Sequence, residues 1–135
     1  MILNNINIGL CEMSAALFVL SCKKGYDSKQ FIEKLMRSQL AVHLYHSDFT
    51  EMWLGEAYIM ETLEQEVTLE EGTVFPEDFM EWTGYLFKVW SLTYPEDSPV
   101  KMLKQAPVDV LLDMYVGLHV MSFEMAIEDL KGLGN

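Results

Sequence analysis

Three histidines and two cysteines carry most of this chain's chemical options, and their spacing says which chemistry each could perform. His43 and His46 stand three apart in "HLYHSD", with Asp48 close behind and Glu51 beyond it. Histidines at that spacing on a helix share a face, and the two carboxylates could add oxygen ligands for a metal. The zincin pattern HExxH is absent, which leaves two half-exposed helix residues beside a cap as the simpler reading. His119 lies in "MYVGLHVMSFEMAIEDLKG", with Asp113 before it and Glu124 after it. A general base needs an orienting carboxylate and a nucleophile or substrate in reach. No serine sits in GxSxG, and neither cysteine has a nucleophile signature around it. His119 therefore reads as a hydrogen-bonded residue pinning a helix corner. On that reading, His119→Ala costs about 1–3 kcal/mol through an unsatisfied partner.

Cys11 and Cys22 form no CxxC and have no second pair for a zinc site, so they read as structural thiols in a reducing cytosol. GxGxxG, P-loop and EF-hand patterns are all missing. The ten methionines are core filler, or the lining of an acid-rimmed groove for a basic helix. The expectation is no cofactor, no metal and no enzymatic activity. An enzyme or metal protein using His43, His46, Asp48 or His119 is the third-ranked reading.

Charge points to a class of partner. The 135 residues carry 21 acids against nine Lys and Arg, for a net charge of −12. Between Arg37 and Lys88 there is no Lys or Arg, yet there are eleven acids, among them Glu51, Glu56, Glu61, Glu64, Asp78 and Glu81. Such a block is a solvated face or an acidic docking surface; it repels nucleic acid and anionic membrane and favours a basic partner. "SAALFVLSC" lacks a basic leader and is approached through Glu12, which argues against a signal peptide or lipid anchor. No uninterrupted apolar run reaches membrane-spanning length. A cytoplasmic protein is expected.

The elements that must position these residues are helical. Half the residues are hydrophobic and 12% are aromatic, enough for a real core. Leu10, Met13, Leu17 and Leu20 recur at helical spacing, placing a helix over about Ile8–Cys22, stopped by Lys23, Lys24 and Gly25. Asp27 or Ser28 caps a second helix carrying Phe31, Ile32, Leu35 and Met36, and Ser38 opens a short third segment. Ser47, Asp48 and Thr50 are cap candidates for a helix with Trp53, Ala57 and Met60 on one apolar face, widened by Ile59 and Leu63, where Gly55 costs about 1 kcal/mol. "VTLEEGTVFP", residues 67–76, breaks the pattern and reads as the joint between halves 1–66 and 77–135. Pro76 opens an aromatic helix with Phe79, Trp82, Leu86 and Val89 on its stripe, broad enough to be central. Ser98-Pro99 and Ala106-Pro107 start two more helices, and Ser122 caps the last one, closed by Gly132. Apart from a short strand around Ile2–Ile8, the prediction is an all-α, compact single-domain bundle of six to eight helices. "LFVLSCKKGYDSKQFIEKL" and "LFKVWSLTYPEDSPVKML", and then "GEAYIMETL" and "FEMAIEDL", repeat at an offset near 68 residues, the pattern of a degenerate helical duplication.

"GYLFKVW", a Ser-Pro-opened short helix and "MYVGLHVMSFEMAIEDL" together resemble a family of small helical proteins of unknown function from Firmicutes. The matching positions are Tyr115, Leu118, His119, Glu124, Ile127, Glu128 and Asp129, over about 50 C-terminal residues; Val120 and Met121 depart from the family's polar gap. Members often lie beside toxin-like proteins with an ADP-ribosyltransferase-like fold. The resemblance implies an antitoxin-like or accessory binding partner, in keeping with the acidic charge.

The first-ranked reading is an acidic interaction module that inhibits or assists a basic protein partner, a toxin or a nuclease, and a homodimer is compatible with it. Glu51, Glu56, Glu61, Glu64, Asp78 and Glu81 supply charge, and exposed members of the group Trp53, Met60, Phe75 and Trp82 supply apolar anchors. The second-ranked reading is a nucleic-acid-mimicking inhibitor of a defence nuclease.

Overall fold

A computed structural model describes residues 4–46 and 53–133 of the chain. They form eight helices: α1 Asn5–Lys23, α2 Ser28–Met36, α3 Gln39–Leu44, α4 Glu56–Glu66, α5 Glu77–Thr93, α6 Pro99–Gln105, α7 Val108–Leu118 and α8 Phe123–Leu133. The all-α expectation holds. No β-strand occurs among the described residues, only an isolated antiparallel bridge between Tyr26 and Glu71.

Local chemistry explains most boundaries. Asp27, Ser38 and Ser98 each accept a backbone N–H of the first turn they open, from Gln30, Ala41 and Lys101 respectively, and Ser122 accepts from Met125. Asn4 does the same for Asn7 at 2.8 Å, so the stretch expected as a strand enters α1 at Asn5. Here a polar cap outweighs the alternating isoleucines. α3 has a second cap: the Glu66 carboxylate accepts from the backbone N–H groups of Gln39 and Leu40 at 2.6 and 3.0 Å.

Gly55 is not inside a helix. It stands before α4 at φ 100°, a conformation that side-chain-bearing residues rarely adopt, and no neighbour crowds it. The apolar face of α4 is the expected one only from Ile59 onward. Ile59, Met60 and Leu63 are buried, whereas Ala57 is exposed and Trp53 lies outside the helix. Ser47, Asp48, Thr50 and Glu51 lie outside the described residues.

The core is built on the crossing of α1 and α5. Gly84 permits it: a Cβ there would lie 2.7 Å from the Ser14 carbonyl oxygen and 2.9 Å from Ala15 Cα. Ser14 Oγ donates to the Gly84 carbonyl at 2.7 Å across this close approach. Phe18, Phe31, Phe87 and Trp90 fill the centre, with Phe18 edge-on to Phe31 at 5.2 Å. α5 also packs against α6, α7 and α8, so its broad apolar face is central, as its stripe suggested. α1 is long and apolar enough to cross a membrane by length and composition alone, although no uninterrupted apolar run in the sequence is. In the fold it packs against α4 and α5 and buries Cys11, Ala15, Leu17 and Phe18.

The joint at residues 67–76 is bound to the start of α2. Asp27 and Ser28 donate their backbone N–H groups to the Glu70 and Thr73 carbonyls, and Phe75 N donates to Ser28 Oγ at 2.9 Å. Gly72 is required where this strap passes Asp27, since a Cβ would come within 2.5 Å of the carboxylate. Both halves open on a long helix, follow with a short one capped by Asp27 or Ser98, and close on an 11-residue helix.

Candidate functional site

Two adjoining depressions flank α5, one towards α1 and one towards α7 and α8. The first is a cleft of about 400 Å³ between α1, the start of α4 and α5. Ala15, Ala16, Val19 and Leu20 give it an apolar floor; Glu12, Glu56 and Glu81 stand on its walls, with Lys23 at one end. The second, of about 340 Å³, is walled by Trp82, Tyr85, Tyr115, His119 and Phe123, with Asp78 and Glu81 beside them. Glu81 and Tyr85 line both, so the two form one groove.

Helical spacing builds the aromatic end. Asp78, Glu81, Trp82 and Tyr85 are three and four residues apart on α5, while Tyr115 and His119 are four apart at the end of α7. The corner at Ser122 then brings Phe123, the first residue of α8, against both Trp82 and Tyr85. Trp82 meets Tyr115 at 5.4 Å with ring planes 70° apart, and Phe123 stacks on Tyr85 at 4.6 Å. Phe79 and Phe75 continue the ladder behind Tyr115, at 5.3 and 5.8 Å between successive centroids. Each such pair contributes about 0.5–1.5 kcal/mol beyond its buried area, so the walls are held in place without a ligand.

The groove is strongly negative. Burial raises the Tyr115 phenol pKa, and Asp78 and Glu81 add to the effect. Burial likewise raises that of Tyr85, reinforced by Cys11, Glu12 and Glu124. Five carboxylates thus crowd this face, from Glu12, Glu56, Asp78, Glu81 and Glu124. None of the five makes an ion pair among the described residues. Several acids elsewhere have structural partners. Glu64 holds Lys24 at 2.6 Å and accepts from the Tyr26 hydroxyl; its partial burial pushes its pKa up, but these two donors bring it below the usual range. Asp97 is buried between Lys101, Lys131 and the Trp90 indole, at 2.9, 2.5 and 2.9 Å.

The residues expected to meet a partner divide accordingly. Glu56, Asp78, Glu81 and Trp82 line the groove. Trp53 is 54% exposed and lies over Gly9, one turn before Glu12 on α1. Phe75 is half-buried behind the aromatic wall. Glu61 is exposed on α4, outside the residues that line the groove. Met60 is fully buried and Glu64 is tied to Lys24 and Tyr26, so neither is an open contact residue. Glu51 lies outside the described residues.

His119 also departs from expectation. It is exposed, with Nδ1 2.8 Å from the Tyr115 carbonyl oxygen and its ring stacked on Tyr115 at 4.6 Å. It buttresses the pocket wall rather than pinning a buried corner. His43 and His46 are both exposed at the end of α3. No group of three or more metal-ligating side chains converges among the described residues. Glu12, Tyr85 and Phe123 were missed as site residues by sequence reasoning, and Tyr115 and Glu124 were singled out only beside His119 and in the C-terminal resemblance. Their signal was the half-polar aromatic pair at Tyr115 and His119 facing a matching one at Trp82 and Tyr85, visible only once α7 and α5 are known to touch.

A separate polar cluster is sealed in the core. The Lys88 ammonium is 1% exposed and donates to the Leu44 carbonyl at 3.0 Å, 5.9 Å from the Tyr45 ring centre. Burial lowers its pKa to about 8 and raises that of the nearby Cys11 thiol to about 12. Around the corner from the aromatic pocket, Val116, Val120, Met121 and Met125 are exposed apolar residues at the α7–α8 junction. No family model, curated protein or solved structure matches this chain.

Proposed function

We propose that this protein is an acidic protein–protein interaction module that takes a basic segment of a partner protein along the groove. One observation carries the reading: Glu12, Glu56, Asp78 and Glu81 gather on one groove with no ion-pair partner among the described residues, whereas Glu64, Glu66, Asp27 and Asp97 are consumed by the fold. Uncommitted carboxylates steer a cationic partner and select its orientation. Trp82, Tyr115 and the apolar floor of the cleft supply the buried area that charge alone does not, since exposed ion pairs contribute about 0–1 kcal/mol each. The antitoxin-like or accessory inhibitor role implied by the C-terminal resemblance is the form of this proposal that names a partner class, a basic toxin or nuclease in a cytoplasmic setting.

The test is co-purification from the native host with the wild type and with a Glu12→Gln/Glu56→Gln/Glu81→Gln variant. All three positions are on the surface of the groove, and circular dichroism checks that the fold is retained. A basic protein held by the wild type, released by moderate salt and absent from the variant is the expected result. Identical recovery by both proteins refutes the groove. A nucleic-acid-binding enzyme displaced by DNA replaces this proposal with the mimic.

A further inference from the structure

We infer that the aromatic end of the groove is a receptor for an N-methylated ammonium group, presented by the basic partner as a methylated lysine side chain. The inference rests on the proposed function above and specifies what the pocket of Trp82, Tyr85, Tyr115 and Phe123 selects.

The walls decide the ligand. A cation is attracted to the faces of aromatic rings, and several rings meeting at an angle surround a rounded cation better than one ring does. Trp82 and Tyr115 are in T-shaped contact at 5.4 Å and 70°, Phe123 lies beside Trp82 with its plane tilted by 26°, and all three line the same depression. The carboxylates of Asp78 and Glu81 supply counter-charge at the same depression. His119 stacks on Tyr115 at 4.6 Å and holds that wall in place.

Two competing cations fit less well. A guanidinium is flat and binds best with its plane against a ring or between two rings. Here the parallel rings are already closed on each other, Tyr85 and Phe123 at 4.6 Å and Trp82 and Phe123 at 6.3 Å, so no slot between two rings is open and a guanidinium is left with a single outer face. An unmodified ammonium has three N–H donors to satisfy, and ring faces do not replace water for them. Methyl groups on the nitrogen remove those donors, spread the charge and add apolar area against the rings. The pocket's roughly 340 Å³ accommodates such a headgroup with its methyl groups. Partner binding through the cleft lined by Glu12 and Glu56 would place the side chain, because the two depressions share Glu81 and Tyr85.

The experiment is an NMR titration of the full chain with tetramethylammonium chloride, following the Trp82 indole N–H against the other two tryptophans. Sodium chloride at equal ionic strength, tert-butanol as the neutral isostere and guanidinium chloride serve as comparisons. A saturable shift confined to the Trp82 signal is expected, with a dissociation constant on the order of millimolar. It should be absent with tert-butanol, weaker with guanidinium, and reduced several-fold in Glu81→Gln, which alters only an exposed side chain. Tyr115→Leu should abolish it, with the remaining indole signals reporting whether the fold is kept. An equal response to tert-butanol, a stronger one to guanidinium, or no saturable shift overturns the inference. A lysine-rich peptide carrying one trimethyllysine should bind at least tenfold more tightly than tetramethylammonium. If it binds no better, a free quaternary amine is the ligand and the partner-borne lysine is refuted. If the charge variant loses its basic partner while tetramethylammonium gives no shift, the cation receptor fails and the interaction module stands.

Discussion

Replacing Lys88 by methionine should make the protein more stable, and the size of the gain can be worked from its surroundings. Lys88 is 1% exposed, with one hydrogen bond to the Leu44 carbonyl and no carboxylate partner among the described residues. Burial lowers its pKa from 10.5 to about 8, with Cys11 opposing slightly. That difference means the charged amine costs the folded state about 3 kcal/mol at neutral pH. Methionine fills similar volume without the charge, but it leaves the Leu44 carbonyl without its donor, a loss of about 1 kcal/mol. The expected net gain at pH 7 is about 2 kcal/mol. The sign with pH follows from linkage. Between pH 8 and 10.5 the unfolded chain holds this proton and the folded one releases it, so Lys88's unfavourable contribution diminishes as pH rises. The advantage of Lys88→Met should therefore shrink by about 1 kcal/mol between pH 7 and pH 9. Comparing the two proteins at each pH removes most of the opposing effect of Cys11, whose raised pKa of about 12 makes both less stable as the unfolded thiol ionises; what remains is its coupling to Lys88, which the variant lacks. Urea denaturation at five pH values measures the difference. A variant less stable than wild type at pH 7, or a pH-independent gap, would refute the reasoning and indicate that Lys88 has a compensating partner.

Three further substitutions probe other parts of the fold. Burial pushes the Asp97 carboxyl upward, but Lys131, Trp90 and Lys101 hold it at about 2, below its ordinary 3.8. It should stabilise the fold by about 2 kcal/mol above pH 4, lost as the pH falls towards 2. Asp97→Asn should show less acid sensitivity in the same denaturation series, and equal sensitivity would contradict the assignment. Gly84→Ala should cost about 1–3 kcal/mol, because the new methyl meets the Ser14 and Ala15 backbone rather than a flexible side chain. An unchanged melting temperature would mean that α1 and α5 are not so close. His119→Ala should cost less than about 1 kcal/mol, since the ring is exposed and its loss leaves a carbonyl that water can reach. A loss above 2 kcal/mol would restore the buried-corner role.

Local signals were legible wherever the answer is local. Asp27, Ser38, Ser98 and Ser122 announce their helices because a short polar side chain beside an amphipathic run satisfies free N–H groups. The aromatic stripe from Phe79 to Trp90 marked α5 as central. The groove was legible only in part. Trp82, Asp78, Glu81 and Glu56 stood out by type and charge, but Tyr115 and Phe123 join them through the α7–α8 corner, about thirty residues further along. Glu12 counted only as an argument against a signal peptide or lipid anchor and proves to be a wall of the cleft. Met60 misled because an apolar residue on a helix face is core or anchor depending on what packs over it, and Glu64 because Lys24 and Tyr26, which tie it down, lie about forty residues earlier.

The central claim is that the uncommitted carboxylates of one groove recognise a basic protein. The most direct measurement is calorimetric titration of the purified basic partner into wild type and into Glu12→Gln/Glu81→Gln, at low and at moderate salt. The account predicts at least tenfold weaker binding for the variant at low salt, with a smaller salt dependence than wild type. Equal affinity and equal salt dependence in both proteins would place the binding surface elsewhere and contradict the account.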